Sequence, residues 1–206
     1  MKNSKVIIFD LGAVILNINY QNTIDEFSKL GIKNASSFYS KKVQTDLFNQ
    51  IETGKITAEK FLTELQKETN NATINQVKDA WNSMLLDLPN ERLELIKALK
   101  NKYRIYLLSN TNNIHIDAFK KQLGNAKWED FCNLFDKMYL SHEVGLRKPN
   151  AEIFKHILTE QKLKAEEVFF IDDSPQHIEG AKKLGIKTHH LLDNENITTL
   201  FPDRVR

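Results

Sequence analysis

The chain has 206 residues, with 29 Lys+Arg against 27 Asp+Glu, a formal net charge of +2, 41% hydrophobic and 27% charged residues. This composition excludes a disordered, collagenous or disulfide-stapled protein, and the length suits one domain of ordinary size carrying at most a small insertion. Charges of both signs are interspersed, the lone Cys132 cannot close an internal disulfide, and no apolar stretch approaches the ~18 residues of a membrane span, so neither nucleic acid nor a membrane is an expected partner and a reducing cytoplasm is the expected compartment.

Val6-Ile7-Ile8-Phe9 opens the chain's pattern with a short continuous apolar run, which reads as a strand buried on both faces of a parallel sheet. From about Tyr20 to Leu86 the apolar spacing becomes helical: Ile24, Phe27 and Leu30 before Gly31, then Phe38 and Val43 to Phe48. It continues with Phe61, Leu62 and Leu65 after Thr57, and with Val77, Trp81, Met84 and Leu85. Residues 17–87 are read as a small all-helical cap inserted after the first strand, in a core made of residues 1–16 and 88–206. No Pro/Gly-rich linker flanks this insertion, so its joints, near Ile15 to Asn19 and Asp87 to Pro89, are expected to be short hinges. Trp81 and Phe61 read as core residues of the cap.

Helical spacing at Leu93, Ile96 and Leu99 follows Pro89, and Ile105 to Leu108 reads as the next strand. A helix carrying Ile153, Phe154, Ile157 and Leu158 leads to a strand at Val168 to Ile171. A last helix, with Ile178, Ala181 and Leu184 before Gly185, precedes a weaker strand at Thr188 to Leu192. Strands alternating with helices of this length predict an α/β fold with a doubly wound parallel sheet.

Three of these strands end in polar groups that burial does not explain: Asp10, Ser109-Asn110 and Asp172-Asp173. Ligands of open α/β sheets bind outside the carboxyl ends of the strands, so the three ends can converge on one crevice. A carboxylate directly after four apolar residues is costly unless paired or metal-bound, and two adjacent carboxylates at a buried edge repel each other unless a cation joins them. Asp10, the carbonyl of Gly12 and one of the paired aspartates supply hard oxygen ligands for Mg2+. Pro149 can open the helix that follows, which leaves Lys148 near the crevice as a cationic clamp.

Asp10-Leu-Gly-Ala-Val14, Ser109-Asn110, Lys148-Pro149 and Ile171-Asp-Asp-Ser174 resemble the four ordered motifs of the haloacid dehalogenase-like (HAD) hydrolase superfamily. Their separations, 99, 39 and 24 residues from Asp10 through Ser109 and Lys148 to Asp172, also resemble it, with the helical insertion where this superfamily carries its C1 cap. Flanking phrases such as Leu107-Leu-Ser-Asn-Thr111 and Gly145-Leu-Arg-Lys-Pro149 resemble the branch that holds bacterial glucose-1-phosphate phosphatases and the N-terminal domain of soluble epoxide hydrolase. The resemblance implies a Mg2+-dependent phosphomonoesterase acting on a small phosphorylated metabolite, such as a sugar phosphate. It makes Asp10 the nucleophile that becomes an aspartyl-phosphate, Ser109 and Asn110 the phosphate-binding residues, and Lys148 the group that neutralises Asp10 and the phosphate. Asp10, Gly12 and Asp173 become the metal ligands, with Asp172 ordering a metal-bound water or sharing the ligation.

One position departs from the pattern. The superfamily's phosphatases commonly carry a second aspartate two positions after the nucleophile as proton carrier, and here that position is Gly12. A backbone carbonyl binds metal but carries no proton, which leaves a phosphate-binding fold with little turnover as an alternative reading; a 2-haloacid dehalogenase is another, although it leaves Asp172-Asp173 unexplained. His115 reads as a helix-surface residue, with a substitute proton donor in the crevice as its alternative. His189-His190 has no ligand partner nearby in sequence, and Cys132, without a basic neighbour, reads as an apolar filler.

Overall fold

The computed structural model describes residues 4–38 and 46–201, so Val43, read above as part of a helical run, lies outside the described residues. Strands β1 (Val6–Phe9), β2 (Arg104–Ser109), β3 (Lys137–Leu140), β4 (Val168–Asp172) and β5 (Lys187–His190) form one sheet in the order β3-β2-β1-β4-β5. Every pairing is parallel. Within β1 the side chains alternate between the two faces: Ile7 and Phe9 join one hydrophobic cluster, with Leu95, Leu107 and Phe119, while Val6 and Ile8 join another, with Tyr106, Phe154 and Ile178. This is the doubly wound arrangement that the continuous apolar runs predict, because a strand covered by helices on both sides has no polar face.

The helices are α1 (Tyr20–Lys29), α2 (Ala35–Phe38), α3 (Asp46–Glu52), α4 (Ala58–Lys67) and α5 (Ile74–Asn82), followed by α6 (Asn90–Lys100), α7 (Asn113–Leu123), α8 (Asn125–Cys132), α9 (Ser141–Val144), α10 (Ala151–Glu160) and α11 (Pro175–Lys182). Among the described residues none is long and apolar enough to cross a membrane. The fifth strand, β3, was not predicted. Its sequence, Lys-Met-Tyr-Leu, buries only its last two residues at the sheet edge, so no apolar run marks it. The other predicted strands form, the last ending at His190 rather than Leu192.

Helices α1, α3, α4 and α5 bury a separate cluster in which Phe27, Phe48, Phe61 and Trp81 are fully enclosed, with ring centroids of Trp81 5.3 Å from Phe48 and 5.2 Å from Phe61. Thr57 caps α4, and Thr73 with Gln76 forms a capping box on α5, which fixes where these amphipathic helices begin. The two chain segments entering and leaving this region run antiparallel. Asn17 N donates to Asp87 O (3.0 Å), Leu86 N to Asn17 O (3.0 Å) and Asn19 N to Met84 O (2.9 Å). The cluster also takes in Ile114 of α7, so the inserted helices are packed onto the sheet domain as well as tied to it.

Pro149 does not open α10. It lies two residues ahead of Ala151, and Asn150 takes the N-cap position. Gly180 explains how closely α11 approaches that loop: a Cβ there would lie 2.4 Å from the Pro149 carbonyl oxygen, a backbone atom that cannot step aside. The loop that carries Lys148 is thus seated directly on α11.

Candidate active site

The carboxyl ends of β1, β2 and β4 open onto one cavity of about 610 Å3, lined by Asp10, Gly12, Ser109, Asn110, Lys148 and Asp173 among others. Asp172 lies beneath it, fully buried at the end of β4. All seven residues singled out by sequence are therefore gathered at one sheet edge, from positions up to 163 residues apart.

Lys148 organises the floor. It is completely buried, and its ammonium donates three bonds: 2.9 Å to Leu108 O, 2.7 Å to Asp172 Oδ2 and 2.8 Å to Asp10 Oδ1. Burial opposes this charge, but the Asp10 and Asp172 carboxylates outweigh it and hold the lysine above its ordinary pKa. The backbone of Lys148 is held equally firmly. Asn110 Oδ1 accepts from Lys148 N (2.9 Å), and Asn110 Nδ2 donates to Lys148 O (2.9 Å). Both ends of the Asn110 amide are therefore spent on fixing Lys148.

Asp10 accepts from Leu11 N (2.7 Å) and from Lys148, both at Oδ1, so Oδ2 takes no part in either bond. Its pKa is raised well above the carboxylate range, by burial first, with Asp172 and Asp173 adding repulsion against the opposing pull of Lys148. Asp172 moves the other way. Burial again opposes its charge, yet Lys148 and His177 outweigh it and hold the carboxyl well below its usual range. Besides Lys148, Asp172 accepts from Ser174 N (2.8 Å), and His177 Nδ1 lies 2.9 and 3.1 Å from its two oxygens.

His177 was missed in the sequence. The available signal was a histidine one turn into the helix that follows the paired aspartates, where the chain folds its side chain back over the strand end. Asp10, Asp172 and His177 bring ligand atoms within 4.8 Å of one another. In that trio both oxygens of Asp172 are already engaged, whereas Asp173 lines the cavity itself, half-buried, beside Asp10 and Gly12.

The turn after β1 is closed by Ala13 N to Leu16 O (2.8 Å) and Leu16 N to Leu11 O (2.9 Å), neither of which uses the Gly12 carbonyl. Gly12 has no left-handed backbone angle; Ala13 takes that conformation instead, at φ 60°. Tyr20, the first residue of α1, also lines the cavity, and its hydroxyl stays protonated because burial, then Asp173, Asp10, Glu52 and Asp172, raise its pKa well above the ordinary value.

The opposite wall comes from the inserted region: Asp46, Asn49, Glu52, Thr53 and Lys55. Arg147 fastens that wall, pairing with Glu52 Oε2 at 2.9 Å and donating to Asn49 Oδ1. Gly54 adds a close backbone approach: its φ is +66°, and a Cβ there would lie 2.3 Å from His142 O.

His115 is buried rather than on a helix surface and lines the cavity, as its alternative reading places it. Burial lowers its pKa to about 3, so the ring is neutral at neutral pH. His190 Nε2 lies 3.1 Å from Asp173 O and His189 Nε2 3.2 Å from Glu195 Oε2. Cys132 is half-buried against the core.

The sequence profile of the haloacid dehalogenase-like hydrolases matches residues 4–185. The chain belongs to that family. It is 31% identical over 185 residues to a D-ribitol-5-phosphate phosphatase of Bacteroides thetaiotaomicron, covering 89% of this chain and 90% of that protein. Among solved structures, a HAD family enzyme of Bacteroides thetaiotaomicron in complex with magnesium and inorganic phosphate superposes with a TM-score of 0.88 at 35% identity, covering 96% of this chain and 98% of that one. A HAD-like hydrolase of Porphyromonas gingivalis gives a TM-score of 0.86 at 32% identity, covering 99% and 98%. The chain is accordingly an enzyme of the HAD hydrolase family, and its relatives include phosphatases.

Proposed function

We propose that this HAD phosphatase is a Mg2+-dependent phosphomonoesterase that hydrolyses small, hydroxyl-bearing phosphate esters, such as pentitol or sugar phosphates, through an aspartyl-phosphate on Asp10. The observation that carries this reading is the buried Lys148 ammonium bonded to both Asp10 and Asp172 at the floor of a cavity whose far wall is polar. Asp10 Oδ2 is the attacking oxygen, since Oδ1 is held by Leu11 N and Lys148. Lys148 offsets the negative charge that gathers as a phosphate dianion meets a carboxylate, and Ser109 with the neighbouring main-chain amides holds the transferring oxygens. Asn110 acts by positioning Lys148.

The residues also fit the cation. Asp10, Asp172 and Asp173 outnumber Lys148, the donors are hard oxygens, and burial together with carboxylate repulsion makes the Asp10 charge costly in a way that positive charge relieves. Asp10, the Gly12 carbonyl and Asp173 would hold Mg2+, while Asp172 orients Lys148 and His177 from below. Bound there, Mg2+ supplies charge neutralisation and orientation of the phosphate. Residues 17–87 serve as the cap that closes the cavity and reads the leaving group. Its Asp46, Asn49, Thr53 and Lys55 suit a substrate rich in hydroxyls, and the similarity to a D-ribitol-5-phosphate phosphatase supports the same class.

A panel of phosphorylated polyols and sugars tests the reading. Turnover is expected with Mg2+ and is expected to vanish in excess chelator; Asp173→Ala should weaken Mg2+ binding, measured by calorimetry, more than Asp172→Ala does. Full activity without divalent cation would refute the metal assignment.

Gly12 makes a second expectation. A carboxyl two positions after Asp10 would supply the missing proton carrier, and a Cβ at Gly12 would have Ile18 Cδ1 as its nearest neighbour, at 2.9 Å, the movable end of a flexible side chain. With no left-handed backbone to strain, the variant should fold, bind Mg2+, and hydrolyse alkyl phosphates about 10- to 100-fold faster, with little change on aryl phosphates. A folded, Mg2+-binding variant with no selective gain on alkyl phosphates would mean that the proton already comes from elsewhere.

A further inference from the structure

His115 stands out because it lines the cavity with its ring held by two contacts and its backbone by a third. Its backbone N donates to Asn112 Oδ1 at 3.1 Å, which seats it in the first turn of α7. The ring stacks on Trp81 with centroids 4.5 Å apart and planes 22° from parallel. Nδ1 lies 2.9 Å from Asn82 Oδ1. With the Asn82 amide assigned oxygen-first, that oxygen can only accept, so Nδ1 carries the proton and Nε2 presents a lone pair.

Met84, Leu85, Ile116 and Phe119 line the same cavity as His115 and contribute its apolar share. An acceptor in such surroundings is costly to leave unpaired, so a ligand that brings a hydroxyl is favoured over one that brings a methylene. Phosphate is accounted for at the other side of the same strand-to-helix unit, where Ser109 ends β2. What remains for His115 is the leaving group.

We propose that His115 is a specificity-determining residue that accepts a hydrogen bond at Nε2 from a hydroxyl of the leaving group, with Asn82 holding the opposite ring nitrogen and Trp81 the ring plane. The inference rests on the phosphomonoesterase reading above and goes beyond it by naming the atom that tells a polyol ester from an alkyl ester. It also gives the inserted helices a part in selection, since Trp81 and Asn82 close α5 while His115 belongs to α7.

The test compares kcat/KM on two matched pairs, ribitol 5-phosphate beside pentyl phosphate and glycerol 1-phosphate beside propyl phosphate, with phenyl phosphate as a common reference. His115→Phe keeps the stacking ring and removes the acceptor. It should lower the polyol-to-alkyl ratio of kcat/KM by about tenfold in whichever pair the wild type prefers, and His115→Gln, which restores an acceptor oxygen, should recover part of that ratio. Should the Phe variant fail to fold, Asn82→Leu, which frees the ring, is expected to lower the same ratio, and Asn82→Asp, which still accepts from Nδ1, to preserve it. A ratio unchanged in every variant overturns the proposal, as does a wild type with no preference for the hydroxylated esters. A wild type inactive on all five esters, phenyl phosphate included, refutes the phosphatase reading itself and this inference with it.

Discussion

Asp10→Asn should abolish turnover, lowering kcat by at least about 10^4-fold, while leaving the metal-free protein at least as stable as the wild type. The loss follows from the covalent step: an amide is nearly isosteric with the carboxylate but cannot form the aspartyl-phosphate. The stability follows from burial. Asp10 is enclosed and opposed by Asp172 and Asp173, so its ionised form costs the folded state free energy that an uncharged amide does not. The sign in pH is fixed by the same fact. A carboxyl whose folded pKa is raised destabilises the fold where it is ionised and gives that stability back as pH falls through the folded pKa. The melting temperatures of variant and wild type in chelator should therefore converge as the solution is acidified. Turnover persisting in the Asn variant would end the covalent mechanism, and a large drop in its melting temperature at neutral pH would contradict the account of Asp10 as a strained anion.

Lys148→Ala should have the largest effect on stability as well as abolishing activity. The ammonium is completely buried and is the group joining Asp10 to Asp172, so its removal takes the shared countercharge from two enclosed carboxylates and a donor from one main-chain carbonyl. Breaking a buried pair by deleting one partner costs about 3–5 kcal/mol, because the other charge is left uncompensated. Denaturant unfolding without metal should show a loss of that order, and Mg2+ should raise the melting temperature of the Ala variant more than that of the wild type, since it restores part of the missing positive charge. A loss under about 1 kcal/mol would mean that Asp10 takes up a proton when the lysine is removed, which a flat dependence of the loss on pH would in turn exclude. Both outcomes are read from the same unfolding series.

The sequence by itself determined the sheet's central strands and the chemistry at their ends. Four apolar residues followed by an aspartate, at Val6 to Asp10 and again at Val168 to Asp172, are legible because apolar runs are local properties of the chain, and because a charge directly after such a run is expensive without a partner. The helical spacing from Tyr20 to Leu86 is legible for the same reason. The edge strand β3 was not, since an edge strand buries too little to leave a run, and its Lys137 and Met138 carry no strand signal of their own.

Only the tertiary structure decided which partner each polar group has. Asn110 and Lys148 are 38 residues apart, and nothing in their separation says that the amide is used up on the lysine backbone. Asp172 and Asp173 are neighbours in sequence with opposite surroundings. Asp172 closes β4 and is buried against Lys148 and His177, whereas Asp173 lies in the bend just past the strand end and lines the cavity. His115 was misread as a surface residue because helical spacing gives a face but not what covers it, and here the cover is Trp81 and Asn82, brought from the end of α5 by the packing of the inserted helices. Periodicity is set by each residue's immediate neighbours, whereas protonation, tautomer and access to a ligand are set by groups that meet only when the sheet and the inserted helices pack together.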